Sequence, residues 1–575
     1  MFRHTVPVPA FQHERRTIGG MSVRKVAGFA SVVMLSCATL GECPCQPADP
    51  ATTSATTAAN VQEIRLGEVI PRGTRGWQPS PKASPDGRHL AWVVRAGDGF
   101  ALAVDGQAGP PFGEIGDIPN YSGDHIWDYC AEFSDDGEHV AYTGRRGKTW
   151  HAVIDGEVGP ACDEVRLGEN RVFGRAGPHH AYVGRRGDRD RVIVDGQEGP
   201  AYDRVYAPTL SPDGSRVAYV AATEGRGSVV VLDGQPIGRA EDIDIYSLTF
   251  SPDGRRFVYA TGGPEGAVAL DGETYPLVGE IALSHLIFSP DSEHLAYVDY
   301  TGSAFSPDEC WLVLDGEAGR RYRSIGMPCF VPGSGQVCYA ARKGEWRDEV
   351  IVIGEDESPT YDEIDPAPIW EPLHGWWFGP AMQFSADGTR SAYCATLAGE
   401  EFVVVDGRRE PAFRRVCLPV FSPDGRSLAY WAEVEEDRWA VLRDGNVGTE
   451  WDRPQYWPVF SPDSKRLAYA AILVGAAKRP QYIVVVDGKE SPPWDWAQVP
   501  FFSPDSKHYA YLAESDDTHS MVLDGEEGPE YDCIHTGGEP WTPRVPFRPD
   551  GSLEYFAERG DTIYRVRQCP PGRGE

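Results

Sequence analysis

A segment of the form Phe-Ser-Pro-Asp-Gly followed by an apolar run recurs along almost the whole chain, and nothing else in the sequence constrains the fold as tightly. It reads "PVFSPDGRSLAYWA" at 419–432, "LSPDGSRVAYVA" from Leu210, "FSPDGRRFVYAT" from Phe250 and "FSPDSKRLAYAA" from Phe460. The turns of the motif centre on Asp86, Asp136, Gly177, Asp213, Asp253, Asp291, Gly333, Asp387, Asp424, Asp463, Asp505 and Asp550, which makes twelve units. Most lie 36 to 45 residues apart, and two gaps are longer, at 50 and 54. A fixed period of this size marks a repeat architecture, in which one unit cannot bury its apolar surface without its neighbours.

Within a unit, a short run ending in Phe meets the turn, where proline fixes its own backbone angle and glycine accepts a positive one. A run such as "SLAYWA" follows, with Leu428 and Tyr430 on one face and Ala429 on the other, which is a strand alternation. After a variable loop comes a β-branched run and a second turn, as in "RVIVDGQEGPAYDRV", where Asp195 and Gly196 supply a hairpin signal. Each unit therefore holds four short antiparallel strands. Four strands in about 40 residues is the pattern of a β-propeller blade.

The "FSPDGxxLAY" pattern resembles the WD40-like repeat of the TolB-type propellers and covers nearly all of residues 61–567. The resemblance implies an all-β fold of about twelve four-stranded blades. TolB itself carries a separate α/β domain before its propeller, and no segment here could form one, so a TolB-specific role is not implied.

Residues "IRLGEVI" at 64–70 resemble the fourth strand of a blade, such as "PLVGEIAL" at 276–283, yet precede the first unit, while the last unit, from Phe547, has three strands and stops. An N-terminal strand pairing with the strand that contains Ile563 would remove the exposed edges. Propellers typically have four to eight blades, so two tandem rings are expected: residues 61–365 with about seven repeats and 366–575 with about five. The longest insertion, "DPAPIWEPLHGWWFGPAM" at 365–382, marks the boundary between them. One large twelve-bladed ring, or a six-plus-six division, is the alternative.

Residues 1–60 differ in kind. After Met21, "SVRK" and the apolar run "VAGFASVVML" have the form of an export signal, and "ECPCQPADPATTSATTAAN" reads as a tether without a core. Translation from Met21 would give that signal its usual position. Cys37 follows "VMLS", which resembles the bacterial lipoprotein box and makes it a lipidation candidate, although Met34 stands where that family has leucine. The expected location is therefore the periplasm or cell surface, with or without a lipid anchor.

Lysine plus arginine number 54 against 86 acidic residues, a formal charge of -32. Such a surface repels phosphate backbones, which argues against a nucleic-acid partner. No Gly-x-Ser-x-Gly and no His-Glu-x-x-His occurs. The adjacent His179 and His180 fall in a degenerate turn where neighbouring side chains point apart, so no metal site and no cofactor is expected.

The "SPDG" and "VDG" turns share one side of a propeller, and their monotony reads as structure, each aspartate capping its own turn. The variable loops, expected on the opposite side, carry Trp127, Trp370, Trp376, Trp377 and Trp541, which suit binding of proteins or sugars. Packing inside or between rings is their other possible role. Cys329 and Cys338, in "PCFVPGSGQVCYA", fall opposite each other across a hairpin. A non-hydrogen-bonded pairing would set their Cα atoms about 4.5 Å apart, short but feasible for a disulfide. Cys130, Cys162, Cys394 and Cys417 read as small buried residues. The expected function is an exported, non-enzymatic scaffold of the bacterial envelope that binds a protein or polysaccharide; the alternative is a lyase or glycosidase with its site at the propeller mouth.

Overall fold

The computed structural model describes residues 60–572 except 71–79, 117–129, 168–171, 176, 224–226, 241–242, 263–265, 278–279, 282–285, 304–305, 345–346, 366–367, 372–374, 379–381, 476–479 and 540–541. No helix occurs among the described residues. Twelve sheets of four or five strands follow one another along the chain, one for each repeat, and two small hairpins accompany them.

The fourth blade shows the plan. Its first strand is split into Arg204–Val205 and Thr209–Leu210, and both halves pair with the second strand, Val217–Thr223. The third strand, Gly227–Leu232, and the fourth, Gln235–Ala240, complete the sheet. The second strand is apolar throughout because both of its faces are covered. Val217, Tyr219 and Ala221 pack on the third blade, and Ala218 and Val220 on the fifth. The alternation in "SLAYWA" works the same way: Leu428 and Tyr430 meet blade eight, while Ala429 and Trp431 meet blade ten. Fourth strands such as Glu157–Val158 and Gln197–Glu198 are exposed. First strands of neighbouring blades touch, as Val416–Phe421 does Arg453–Phe460, so the first strands lie innermost.

One contact recurs between blades. The tyrosine of "LAY" meets, edge to face, an aromatic ring that closes the preceding blade. The pairs include Phe112–Tyr142, Tyr202–Tyr219, Tyr322–Tyr339, Tyr361–Tyr393, Trp494–Tyr511 and Tyr531–Tyr555, with ring centroids 5.9 to 6.5 Å apart. The second glycine of "DGxxG" makes room for the same tyrosine. A Cβ at Gly109 would lie 2.9 Å from the Tyr142 hydroxyl, and one at Gly159 2.6 Å from that of Tyr182. Close approach, not a special backbone angle, therefore selects glycine there.

Val61–Glu68 pairs antiparallel with Thr562–Gln568, and Gly67 stands opposite Ile563. The closing strand is thus present, beginning three residues earlier and ending two earlier than 64–70. It serves as the fourth strand of blade twelve. Its Glu63 accepts from the Tyr531 hydroxyl at 2.6 Å and from Arg559 at 3.0 Å. Burial pushes the Glu63 carboxyl up, but the bonds from Arg559 and Tyr531 hold it below its ordinary value. The arrangement repeats one inside the chain, where the Tyr322 hydroxyl donates to Glu357 at 2.7 Å. The N-terminal strand therefore makes an ordinary inter-blade contact. Blade one has Trp92 in place of the tyrosine, and Gly67 leaves space for it: a Cβ there would lie 3.1 Å from the indole.

These contacts make one closed ring. Twelve apolar clusters join the blades in succession, and the last joins blade twelve, through Phe556 and Ile563, to Leu90 and Trp92 of blade one. The expected division at residue 365 is corrected. It would pack blade seven on blade one, whereas Ile351 of blade seven packs on Tyr393 and Phe402 of blade eight. The insertion lies within blade eight and does not separate two rings.

Two outcomes follow for stability. Deleting residues 61–70 lowers the melting temperature, as does the milder Gly67→Leu, which overpacks Trp92 by about 1–3 kcal/mol. An unchanged melting curve for the deletion would refute closure by this strand. Trp494→Ala removes one recurring ring contact and costs about 3–5 kcal/mol, read in the same assay.

Candidate functional site

The repeated turns account for most of the motif's polar residues. In blade four, Ser211 Oγ donates to Asp213 Oδ1 at 2.6 Å, the Ser215 amide donates to the same oxygen at 3.1 Å, and the Arg216 amide donates to Ser211 Oγ at 3.0 Å. The serine hydroxyl, first among several donors, holds the Asp213 carboxyl below its usual range and brings Asp387 and Asp463 to about 2. Three units have serine in place of the turn glycine, at Ser292, Ser464 and Ser506, each at positive φ. Each serine hydroxyl accepts from the amide of the preceding blade's aspartate, for example Asp424 N–H to Ser464 Oγ at 3.0 Å. The turns are thus linked from blade to blade.

The residue that opens the second strand is usually basic and pairs with the aspartate of the "DG" turn. His89, His294 and His508 meet Asp105, Asp315 and Asp524 at 2.6 to 2.7 Å. Arg216, Arg256, Arg390 and Arg466 meet Asp233, Asp271, Asp406 and Asp487 at 2.7 to 3.0 Å. The arginines also reach a carbonyl of the next blade, as Arg216 does Arg255 O at 2.8 Å. His179 joins this set through Asp195 at 2.8 Å, while His180 stacks on Tyr182. Both adjacent histidines meet Asp195, whose Oδ1 also accepts from the His180 amide at 3.0 Å and lies 3.5 Å from His180 Nδ1. Asp291, Glu293 and His294 bring one ligand atom each within 4.8 Å of the others, the one such group among the described residues. It belongs to a turn built like the rest, with Asp291 holding Ser289 and His294 holding Asp315. Of the three buried carboxylates among the described residues, Asp190, Asp299 and Glu433, two are held by arginines. Asp190 lies 2.5 Å from Arg166 and 3.1 Å from Arg185, and Glu433 2.6 Å from Arg415.

What varies between blades is the break in the first strand. In blade nine, Cys417 opposes Trp431 and Val420 opposes Ala429, a bulge of one extra residue. At the same place blade eight inserts residues 366–382 between Asp365, opposite Cys394, and Gln383, opposite Ala392. Blade two inserts 116–131 between Ile115 and Glu132. Blade twelve inserts 536–546 between His535 and Phe547. These insertions leave the innermost strand, so they arise at the channel and not from the loops that join strands.

In the hairpin Pro368–Glu371/Gly375–Phe378 the backbone register sets Trp370 opposite Trp376 and Ile369 opposite Trp377. Trp127, Trp541 and Cys37 lie outside the described residues. The expectation that the insertions occupy the side away from the "SPDG" turns is corrected for blade twelve. Its hairpin Gly537–Glu539/Thr542–Arg544 lies on the "SPDG" turn of blade one, where a Cβ at Gly537 would collide with Ser84 and Gly87. The signal in the sequence is the distance from the residue that closes one blade to the next "FSPDG", which lengthens where an insertion grows from the bulge.

Cys329 stands directly opposite Cys338, as the spacing implies. The Val331 amide donates to Gln336 O at 2.9 Å two positions away, so by alternation the cysteines form a hydrogen-bonded pair, not the closer kind considered above. That places their Cα atoms about 5.5 Å apart, near the usual disulfide separation. The two are unbridged. Cys130, Cys162 and Cys394 are buried and Cys417 half-buried.

No family model and no curated protein matches the chain. Solved structures similar to it include a eukaryotic initiation factor, at 12% identity over 63% of this chain and 98% of that one, with a TM-score of 0.32. An oligogalacturonate lyase in complex with manganese follows at 13% identity over 54% and 97%, TM-score 0.25. The tricorn protease matches at 14% identity over 85% of this chain and 58% of that one, TM-score 0.25. Likenesses of this order say nothing about what the chain does.

The histidine pairs predict a pH response. The bond to Asp105 raises the His89 pKa, and the bond to Asp315 that of His294, above the ordinary 6.5. A raised folded-state value means stabilisation that is complete below 6.5 and lost as pH rises through the folded value. The melting-temperature gap between wild type and a His89→Gln/His294→Gln variant is therefore largest near pH 6 and shrinks toward pH 8.5. A gap that widens over that range contradicts the assignment.

Proposed function

We propose that this protein is a non-enzymatic β-propeller scaffold of the bacterial envelope that binds a protein or polysaccharide through insertions in its innermost strands. The observation that carries the reading is the blade-eight insertion. A position that in blade nine holds a bulge of one extra residue here holds a hairpin with three tryptophans, Trp370, Trp376 and Trp377. Variable segments on a rigid scaffold are where binding residues concentrate, and tryptophan gives large contact area at low entropic cost. The histidines and carboxylates described above support the same reading, because turns and arginines hold them.

Export through the signal after Met21, with Cys37 acylated, places the ring at the membrane surface or in the periplasm on a Pro/Ala/Thr-rich tether. A lyase or glycosidase at the propeller mouth is the competing reading, and it requires channel carboxylates outside these pairings. A polysaccharide panel, scored for both binding and cleavage, and an envelope-extract pull-down distinguish the two. Trp370→Ala/Trp376→Ala/Trp377→Ala is expected to abolish capture, whereas Arg426→Ala, on an exposed "SPDG" turn, leaves it intact. Cleavage of any polymer, or capture unaffected by the triple substitution, overturns the scaffold reading.

A further inference from the structure

Blade seven departs from the repeat at one paired position. Where nine of the other blades set alanine, as at Ala91, Ala218, Ala429 and Ala510, and blades five and twelve set Val258 and Glu554, blade seven has Cys338, and directly across the hairpin stands Cys329. Opposed residues of an antiparallel pair project to the same side of the sheet, so the two sulfurs share one face. They are not equivalent. Cys338 is buried at 1% exposure, while Cys329 is half-buried. Cys338 Sγ also lies 3.7 Å from Sδ of Met382. Met382 belongs to blade eight and is the residue at which the tryptophan insertion returns to the strand Gln383–Phe384. Three sulfurs thus run from the accessible edge of blade seven to the root of the insertion.

We infer that Cys329 and Cys338 form a reversible thiol–disulfide pair, with Cys329 the reactive thiol and Cys338 its resolving partner, and that its state controls how Met382 anchors the blade-eight insertion. The oxidant class is a hydroperoxide. The Cys329 thiolate attacks the outer peroxide oxygen; the O–O bond breaks, an alcohol or water leaves with a proton, and Cys329 becomes a sulfenic acid. Cys338 sulfur then attacks the Cys329 sulfur, loses its own proton, and expels the hydroxyl as water. Two thiols and one hydroperoxide give one disulfide, one alcohol and one water, and a dithiol reductant restores the pair.

The partition of roles follows from the surroundings. The bond it receives from Cys338 lowers the Cys329 thiol, whereas donation and burial raise that of Cys338. A short cross-strand loop stabilises the fold little, so the bridge is suited to switching. Forming it draws Cys338 Sγ toward Cys329 and away from Met382. The consequence for ligand binding rests on the function proposed above; the sulfur chemistry does not.

The test uses the full chain with Cys37, Cys43 and Cys45 replaced by serine. After a small excess of hydrogen peroxide, non-reducing peptide mapping is expected to show a Cys329–Cys338 linkage that dithiothreitol reverses. Cys338→Ser keeps a hydrogen-bond donor to Cys329 at nearly the same volume but cannot form the disulfide, and it should leave Cys329 as a sulfenic acid trapped by dimedone. In that variant Cys329 should react on the order of tenfold faster than Cys310, whose thiol burial raises to about 11. Absence of the linkage, or equal labelling of Cys310, overturns the redox pair. Hydrogen exchange in residues 368–378, compared between reduced and oxidised wild type, reads the coupling without any ligand. Faster exchange on oxidation supports it, and identical exchange overturns the control of the insertion while leaving the chemistry in place.

Discussion

The ring depends on one contact made at six of its twelve junctions: the second-strand tyrosine of one blade set edge to face against the aromatic that ends the blade before it. Each such pair contributes about 0.5–1.5 kcal/mol beyond the area it buries. Its larger effect is geometric. Tyr219 can be buried only if blade three presents Tyr202, and Tyr511 only if blade ten presents Trp494. A blade therefore has no complete core of its own, and the first and last blades would be left open unless the chain closed on itself. Glu63, Arg559 and Tyr531 at the seam make the closing strand a regular member of the series.

The same dependence explains where the acidic composition goes. Many of the acidic side chains are assigned by the repeat, either capping an "SPDG" turn or holding the basic residue that opens the second strand. The arginine units add a bond to the next blade that histidine is too short to make, as between Arg256 and Glu293. Charge here is mainly a means of fixing turns at the ends of strands. The functional reading accordingly looks to the places where the repeat is broken: the expanded bulges of the innermost strands, and the paired cysteines of blade seven.

Much of this was legible in the sequence because it is local. Period, turn chemistry, strand count, the closing strand and the register of Cys329 with Cys338 all follow from spacing and from the two-residue alternation of a strand. The aspartate of each "SPDG" turn could be assigned its role because the serine and amide it bonds lie two residues away, whereas the aspartate of a "DG" turn does not cap its own turn as expected but bonds the start of the second strand, as Asp105 does His89 and Leu90. The candidate site was legible only as composition. The tryptophans could be named, but their placement depends on a bulge whose partners, such as Trp431 and Ala429 against Cys417 and Val420, are known only once strands are paired.

The sequence alone determined twelve four-stranded blades and a strand exchanged between the chain ends, since these depend on residues near one another or on a motif left incomplete at the C-terminus. Only the tertiary structure decided that the blades form one ring. Ring number depends on which blade packs against which, and every blade presents nearly the same two faces, so the pattern of any one repeat is equally compatible with a seam after blade seven. The choice is made by contacts such as Ile351 against Tyr393 and Phe556 against Trp92, which join residues with no local signature of their partner.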